Sequence, residues 1–567
     1  MKASLTAVAL VLGLSLSGCP STGPSATEPA PDSHATTDAK SVVERLLDRY
    51  LAERPDICRA NGFHERCDGK IADYSAAGIA AFRKFLEDGH AELSRIDRRQ
   101  LDDDTALDVA LLDLTFRGEL FGLDELALPQ RRPQYYADLF SLDAYLTRDY
   151  APLDERVRAL LRHANAALLA VPHVLENLRG PMPRAFVQTD LSIYEGYAEY
   201  LRGDVQTLVA GVTDADLRAN ASRAALRLAD EADKIARHLK EVELPRADES
   251  HVLGVALYKK LLSTQEAIDD ANLEELSRMA DEDLERNKSA YEALVAKGVT
   301  PKRPEASALL ATAQGLVDDA KRFIEEKHLM RVPAGGKLIV QETPPFMRWN
   351  SAFMNGPGPF DDPKLPAYYY ITLPDPKWSA EEQRDYIMPF GTLVATTVHE
   401  VFPGHFLQGL WIREAPTRAQ AILGAYSFVE GWAHYSEQLM VDEGFKADDP
   451  ATRLGQLADA LLRNCRFVVS IALHTKGMTL EEAATRFERD CKQDKATAKQ
   501  QAFRGAFDPG YFAYTLGKLQ ILKLREEARA ALGKDFSLER FHAELLKHGS
   551  PPVPLIRERV LRDLGVK

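Results

Sequence analysis

Six residues in the C-terminal half have the types and spacing to hold a metal ion and use it: His399, Glu400 and His405 in one segment, and Glu430, His434 and Glu437 in another. The first segment reads T-L-V-A-T-T-V-H-E-V-F-P-G-H-F-L-Q from Thr392 to Gln408. Almost every residue before His399 is apolar or small, so a helix here is expected to be buried. Burying two imidazoles and a carboxylate without partners costs on the order of several kcal/mol, and a bound cation is one way of supplying partners. In the H-E-x-x-H zinc pattern two histidines at i and i+4 share a helical face, with the glutamate placed to take a proton from water. Here His399 and His405 are six positions apart, which in an unbroken helix points them roughly 240° apart. Both can reach one ion only if the chain turns between them. Pro403 disrupts a helix and Gly404 permits conformations that other residues avoid, so the turn is available. The plainer reading of this segment alone is a helix ended by Pro-Gly, with two satisfied histidines.

The second segment shifts the balance. Residues 426–440, Y-S-F-V-E-G-W-A-H-Y-S-E-Q-L-M, place Glu430, His434 and Glu437 on one helical face, with Phe428, Trp432, Tyr435 and Leu439 on the other. Ionisable groups on so apolar a helix need a polar destination; the alternative is a surface helix with solvated acids. Glu430 is the expected third protein ligand beside His399 and His405. His434 and Glu437 then suit the surrounding layer that orients ligands. Two histidines and one carboxylate leave a coordination position open, as in catalytic rather than structural zinc sites. Glu400 is the expected general base. Tyr514, in D-P-G-Y-F-A-Y-T-L-G, and His474, in A-L-H-T-K-G, are candidate donors to a developing oxyanion, although a lone Tyr or His on a helix is more often a core residue.

The elements that must position these groups are mostly helices. From Val42 to about Met330 apolar residues recur at three- and four-residue intervals, as in Leu273-Leu276-Ala280-Leu284. Around Lys337–Gln341 and Tyr368–Leu373 the pattern turns β-branched and aromatic, predicting two strands, with Asn355 to Pro366 as a long loop between them. Capping boxes at Ser379/Glu382 and Thr479/Glu482 open later helices, and Pro416 is the expected start of the helix reaching toward Met440. The expected fold class is mainly α, a large helical body with a small β-sheet inserted near the middle. The expected division is 39–330 as an N-terminal helical region and 331–567 as a metal-binding region, or one continuous domain over 39–567.

The N-terminus is expected to be an export signal. Lys2, an apolar run from Ala3 to Leu16, and Leu16-Ser17-Gly18-Cys19 form a signal peptide with a lipobox over 1–19, in which Cys19 would carry the lipid. An ordinary signal cut near Gly18 is the alternative. Residues 20–38, rich in Pro, Ser and Thr, are expected to tether the domain to the membrane. The leaflet is open, although Pro20 gives no obvious inner-membrane retention signal, so the outer membrane or cell surface is favoured. With 45% hydrophobic and 28% charged residues among 567, the chain is of ordinary globular composition, and its net charge of −14 speaks against a nucleic-acid partner. Cys58, Cys67, Cys465 and Cys491 invite disulfides in an oxidising compartment, with three pairings open and free thiols also allowed.

The motifs also carry a family resemblance. H-E-V-F-P-G-H-F-L-Q, E-G-W-A-H-Y-S-E, L-H-T-K-G and P-G-Y-F-A-Y-T-L-G-K follow the early Asp48–Ser75 block and Glu342-Thr343-Pro344 in order. The chain thus resembles the bacterial proteins grouped as domain of unknown function 885, distant relatives of helical zinc peptidases. The resemblance implies a metallopeptidase-like helical fold, one Zn²⁺ held by His399, His405 and Glu430, Glu400 as base and Tyr514 as transition-state donor. It also implies a strand edge that holds an extended peptide, with Tyr369 and Tyr370 beside the cleft. Ser470 stands where the family usually has Asp, Ala472 replaces a Gly, and Tyr511 replaces a Gln; these bear on substrate-side geometry rather than on the ligands. The leading expectation is a zinc-dependent hydrolase of short peptides. The alternatives are a zinc hydrolase of other amides or esters and a non-catalytic, surface-anchored binding lipoprotein.

Overall fold

The computed structural model describes residues 32–344, 347–348 and 351–566. The signal peptide and Cys19 lie outside the described residues, as does most of the tether. The tether's C-terminal end does not extend as expected: a helix runs Ser33–Glu53, and Asp32 caps it by accepting the His34 and Ala35 backbone N–H groups. Thr36 and Ala39 are already buried, so packing overrides the polar composition of this stretch.

Helices build most of the body, and seven of them matter to the site: α1 (Gly254–Glu266), α2 (Leu273–Ala296), α3 (Phe390–Glu400), α4 (His405–Ile412), α5 (Tyr426–Asp442), α6 (Pro450–Thr475) and α7 (Ala513–Leu532). The sheet lies between α2 and α3 in sequence: β1 (Lys337–Glu342), β2 (Ala352–Asn355) and β3 (Pro366–Ile371), in the order β1-β3-β2. β1 runs parallel to β3, Lys337 opposite Pro366, and β2 runs antiparallel, Ala352 opposite Ile371 and Asn355 opposite Tyr368. Two strands were expected and β2 was not; Ala-Phe-Met-Asn is too short to show alternation. The Pro416 expectation also fails. A short helix at Arg418–Ile422 begins there, capped by Thr417, and α5 starts only at Tyr426.

Three apolar clusters fill the interior. One is confined to residues 74–239. A second gathers the first helices, the sheet, α3, α4, α5 and the C-terminus, and a third joins α1 and α2 to α6 and the start of α7. The last two therefore cross residue 330. Cysteines pair Cys58–Cys67 and Cys465–Cys491, with Cα atoms 6.0 and 6.2 Å apart. Among the described residues, no helix is long and apolar enough to cross a membrane.

Candidate metal centre

The turn on which the first segment depends is present. α3 ends at Glu400, Val401 leaves helical geometry at φ −119°, ψ −84°, and a new helix starts at His405. Gly404 makes this possible by close approach: a Cβ on it would lie 1.7 Å from the His399 carbonyl oxygen. Its N–H donates to the Val398 carbonyl at 3.0 Å. The Trp432 indole N–H, from α5, donates to the Pro403 carbonyl at 2.8 Å and fixes the turn from the other side. That role for Trp432 was not foreseen, because its place on the apolar face of α5 reads as packing alone.

The turn brings the two imidazoles together at nearly right angles, 4.8 Å between ring centroids and 87° between planes. Glu430 completes the set. Its Oε2 lies 3.3 Å from His399 Nε2 and 3.6 Å from His405 Nε2, and the three ligand atoms all fall within 4.8 Å of one another. Yet Oε2 of Glu430 is buried and accepts no hydrogen bond. An orphaned buried carboxylate oxygen facing two imidazole nitrogens is costly unless a cation sits between them. The residues therefore fit a metal ion, and His₂Glu is a donor set that zinc favours.

A surrounding layer holds the candidate ligands. Glu437, fully buried, accepts from His399 Nδ1 at 2.7 Å and from His434 Nδ1 at 3.2 Å, and Arg463 lies 3.2 Å from the same carboxylate. With Nδ1–H committed to Glu437, His399 turns Nε2 toward Glu430, the carboxylate–histidine arrangement that sets ligand tautomers. Burial would push the Glu437 carboxyl up, but Arg463, His434 and His399 hold it well below the usual range. Burial opposes charge on His399, while the facing Glu430 carboxylate and the hydrogen bond to Glu437 lift its pKa to about 10. The pocket's field thus favours positive charge between the carboxylates. His434 is driven down to about 3, chiefly by burial, so it donates to Glu437 as a neutral ring. Arg463 was missed in the sequence; its signal is an arginine in the largely apolar run L-L-R-N-C-R-F-V-V.

Glu400 and Tyr514 also border the cluster. Glu400 is half-buried, and its Oε2 accepts the Met354 N–H of β2 at 2.9 Å. The Tyr514 ring stacks on His399 at 6.4 Å, and the Tyr426 hydroxyl donates to the Tyr514 hydroxyl at 3.0 Å. α5 and α7 approach closely enough for this because both carry glycine at the crossing: a Cβ on Gly431 would lie 2.5 Å from Gly517 Cα.

Other expectations land differently. Both ring nitrogens of His474 meet backbone, Nε2 with the Gly505 carbonyl at 2.8 Å and Nδ1 with the Leu253 N–H at 3.4 Å, so this histidine pins loops and has no free nitrogen for an oxyanion. Tyr369 and Tyr370 lie on the central strand β3, whose two edges are taken by β1 and β2. Tyr369 is fully buried, with its hydroxyl 3.2 Å from Thr397 of α3, so it supports the helix rather than lining a cleft. The strand beside Glu400 is β2. Ser470 and Tyr511 are both core residues; Ser470 bridges Tyr258 and the Pro509 carbonyl at 2.8 and 2.7 Å.

A mainly helical body with an inserted three-stranded sheet and a partly buried His₂Glu cluster at a broken helix defines the class of the molecule. Residues 55–560 match the family described as "Bacterial protein of unknown function (DUF885)", and the chain belongs to that family. Among solved structures it is similar to a proposed lipoprotein of unknown function from Shewanella oneidensis, with a TM-score of 0.74 and 22% identity over 92% of this chain and 99% of that one. A proposed lipoprotein from Colwellia psychrerythraea has a TM-score of 0.73 and 17% identity over 94% of this chain and 100% of the other. No curated protein matches the sequence.

Proposed function

We propose that the protein is a zinc-dependent hydrolase of peptide bonds, exported and anchored to the cell envelope through a lipid on Cys19. The observation that carries the catalytic reading is Glu430 Oε2, buried without a hydrogen bond and facing His399 Nε2 at 3.3 Å and His405 Nε2 at 3.6 Å. These three side chains would hold the ion. When bound, zinc would supply Lewis-acid chemistry, acidifying a water and polarising a carbonyl.

The chain's own residues take the remaining roles. Glu400 receives the proton: the Met354 N–H fixes its Oε2, leaving Oε1 to accept. Tyr514 accepts from the Tyr426 hydroxyl, which leaves its own proton to stabilise negative charge developing on the substrate oxygen. Among the described residues β2 pairs with β3 alone, and its other edge, where the Met354 N–H meets Glu400, would take an extended peptide. Envelope localisation is supported by the lipobox residues Leu16-Ser17-Gly18-Cys19, by two disulfides and by similarity to proteins described as proposed lipoproteins.

Metal analysis of the purified protein tests this reading. About one zinc per chain is expected, lost in His399→Ala and Glu430→Ala. Glu400→Gln should keep the zinc and lose on the order of 10²–10⁴-fold in kcat/KM on peptides. Full activity in Glu400→Gln, or in metal-stripped protein, would overturn it.

A further inference from the structure

Four lysine and arginine side chains are buried among the described residues: Arg59, Arg156, Arg466 and Lys518. Three of them have an acid partner, Arg59 with Asp138 at 2.6 Å, Arg156 with Asp149 at 2.8 Å and Lys518 with Asp283 at 2.6 Å. Arg466 has none. Its Nε donates to the neutral Gln501 Oε1 at 3.0 Å, and no described carboxylate makes an ion pair with it. The neighbouring arginines cannot share a counter-ion with it, because Arg463 is engaged by Glu437 and Arg504 by Asp508. Burial, Arg504 and Arg463 all disfavour its charge. A guanidinium left so exposed electrostatically is expensive to the fold, and such groups persist where a ligand completes the pair.

Its position says which ligand. The Arg466 guanidinium carbon lies 4.9 Å from the centre of the Tyr514 ring, and that ring stacks on the metal-site histidine His399. Tyr426, 42% exposed, marks the side on which this group of rings meets solvent. The guanidinium and the His399 ring therefore border the same Tyr514 ring, 4.9 and 6.4 Å from its centre. One extended residue spans roughly 3.5 Å, so this is the distance at which a peptide carries its terminal carboxylate past the scissile amide by one or two residues. A planar carboxylate also matches the guanidinium fork.

We infer that Arg466 receives the free C-terminal carboxylate of a peptide, which makes the metal centre a carboxypeptidase site; this rests on the hydrolase reading above. An acidic side chain near the cleaved bond offers the same chemistry, and the test separates the two. Zinc-loaded protein is assayed on N-benzoyl-Gly-Phe, on its C-terminal amide, and on N-benzoyl-Gly-Glu amide. The free acid should exceed both amides in kcat/KM by on the order of 10²–10³-fold, the loss expected when a desolvated charge pair goes unmade. Arg466→Met should bring the acid down to the amides' level, so that the acid-to-amide ratio in kcat/KM falls to about one, with Arg466→Lys retaining part of the preference. Equal rates on acid and amide, a preference for the Glu amide, or a uniform loss in Arg466→Met would each overturn the assignment.

Calorimetry with 3-phenylpropionate and its amide, in zinc-loaded and metal-free protein, separates this inference from the one beneath it. Carboxylate binding that needs Arg466 without any peptide cleavage would keep the carboxylate site and sink the hydrolase. Cleavage without carboxylate preference would do the reverse. Removing an unpaired buried charge should leave Tm unchanged or higher. If Tm falls instead, Arg466→Lys, which keeps the charge, carries the comparison: a retained acid preference supports the assignment and its loss with intact amide turnover overturns the guanidinium's part.

Discussion

Glu437→Gln separates the two tasks that this carboxylate performs. In the structure it orients His399 through a 2.7 Å hydrogen bond and balances Arg463 at 3.2 Å, with Glu437 and His399 buried and Arg463 largely so. Gln can still accept one hydrogen bond but brings no charge. Arg463 is then left with Asp459 at 3.9 Å as its nearest acid. Removing one partner of a buried pair costs about 3–5 kcal/mol, and the remaining Asp459 argues for the lower end, about 3 kcal/mol. The loss of the carboxylate behind a ligating histidine weakens metal binding by roughly 10–100-fold. Urea unfolding of the metal-free protein reads the first quantity, and zinc competition against a chromophoric chelator reads the second. Adding Arg463→Met should recover most of the stability, since no buried charge is then left alone, and should not recover zinc affinity. An unchanged zinc affinity in Glu437→Gln would mean that Glu437 does not set the orientation of His399. A double variant that recovered both would mean that Arg463, not the carboxylate, controls the site.

Three further outcomes follow from other parts of the molecule. Gly404→Ala should abolish zinc binding and lower stability by more than about 3 kcal/mol, since its Cβ would lie 1.7 Å from a backbone oxygen that cannot move aside; metal content and Tm check both. Glu266, fully buried against Ser427, has a carboxyl pushed up to about 8 by burial from an ordinary 4.5. Its proton is held by the folded state and released by the unfolded one between those values, so stability falls as pH rises through that window by about 1.4 kcal/mol per unit at most. Glu266→Gln should match the parent at pH 4 and exceed it by roughly 3–5 kcal/mol at pH 8.5 in urea titrations. Replacing Cys465 and Cys491 by Ala opens a 26-residue link between the interior of α6 and the turn after the helix that follows it, and should cost about 2–4 kcal/mol, read as a lower Tm under non-reducing conditions.

The candidate ligand cluster was legible in the sequence because each of its members breaks a local rule. His399 and Glu400 end an apolar helix, Pro403 and Gly404 interrupt it, and Glu430 interrupts an aromatic helix. Residues that violate a pattern stand out against it, and the turn that unites them follows from the known conformational limits of Pro and Gly. What was not legible belongs to residues that obey their patterns. Trp432 reads as packing, and its hydrogen bond to the Pro403 carbonyl depends on how α5 crosses the turn. β2 is four residues long, below the length at which alternation becomes visible, yet its Met354 N–H holds Glu400. Tyr369 and Tyr370 were assigned to the right strand and the wrong role, because a sequence shows that a segment is extended but not whether it lies at an edge.

His474 and Arg466 make the same point from opposite sides. They sit eight positions apart on α6. His474 looks functional by type, and the fold satisfies both of its nitrogens with backbone. Arg466 looks like one more charge in an acidic protein, and the fold buries it without an acid. Function in such cases is carried by unmet demand rather than by residue type: a group earns a role where folding has left its charge or hydrogen bonds unpaired and something outside the chain can complete them. By that measure Glu430 Oε2, which accepts no hydrogen bond, and the Arg466 guanidinium, which makes no ion pair with a described carboxylate, are two unmet charges near His399, one negative and one positive. A metal cation and a substrate carboxylate would satisfy them together, and each should bind more weakly where the other's receptor has been removed.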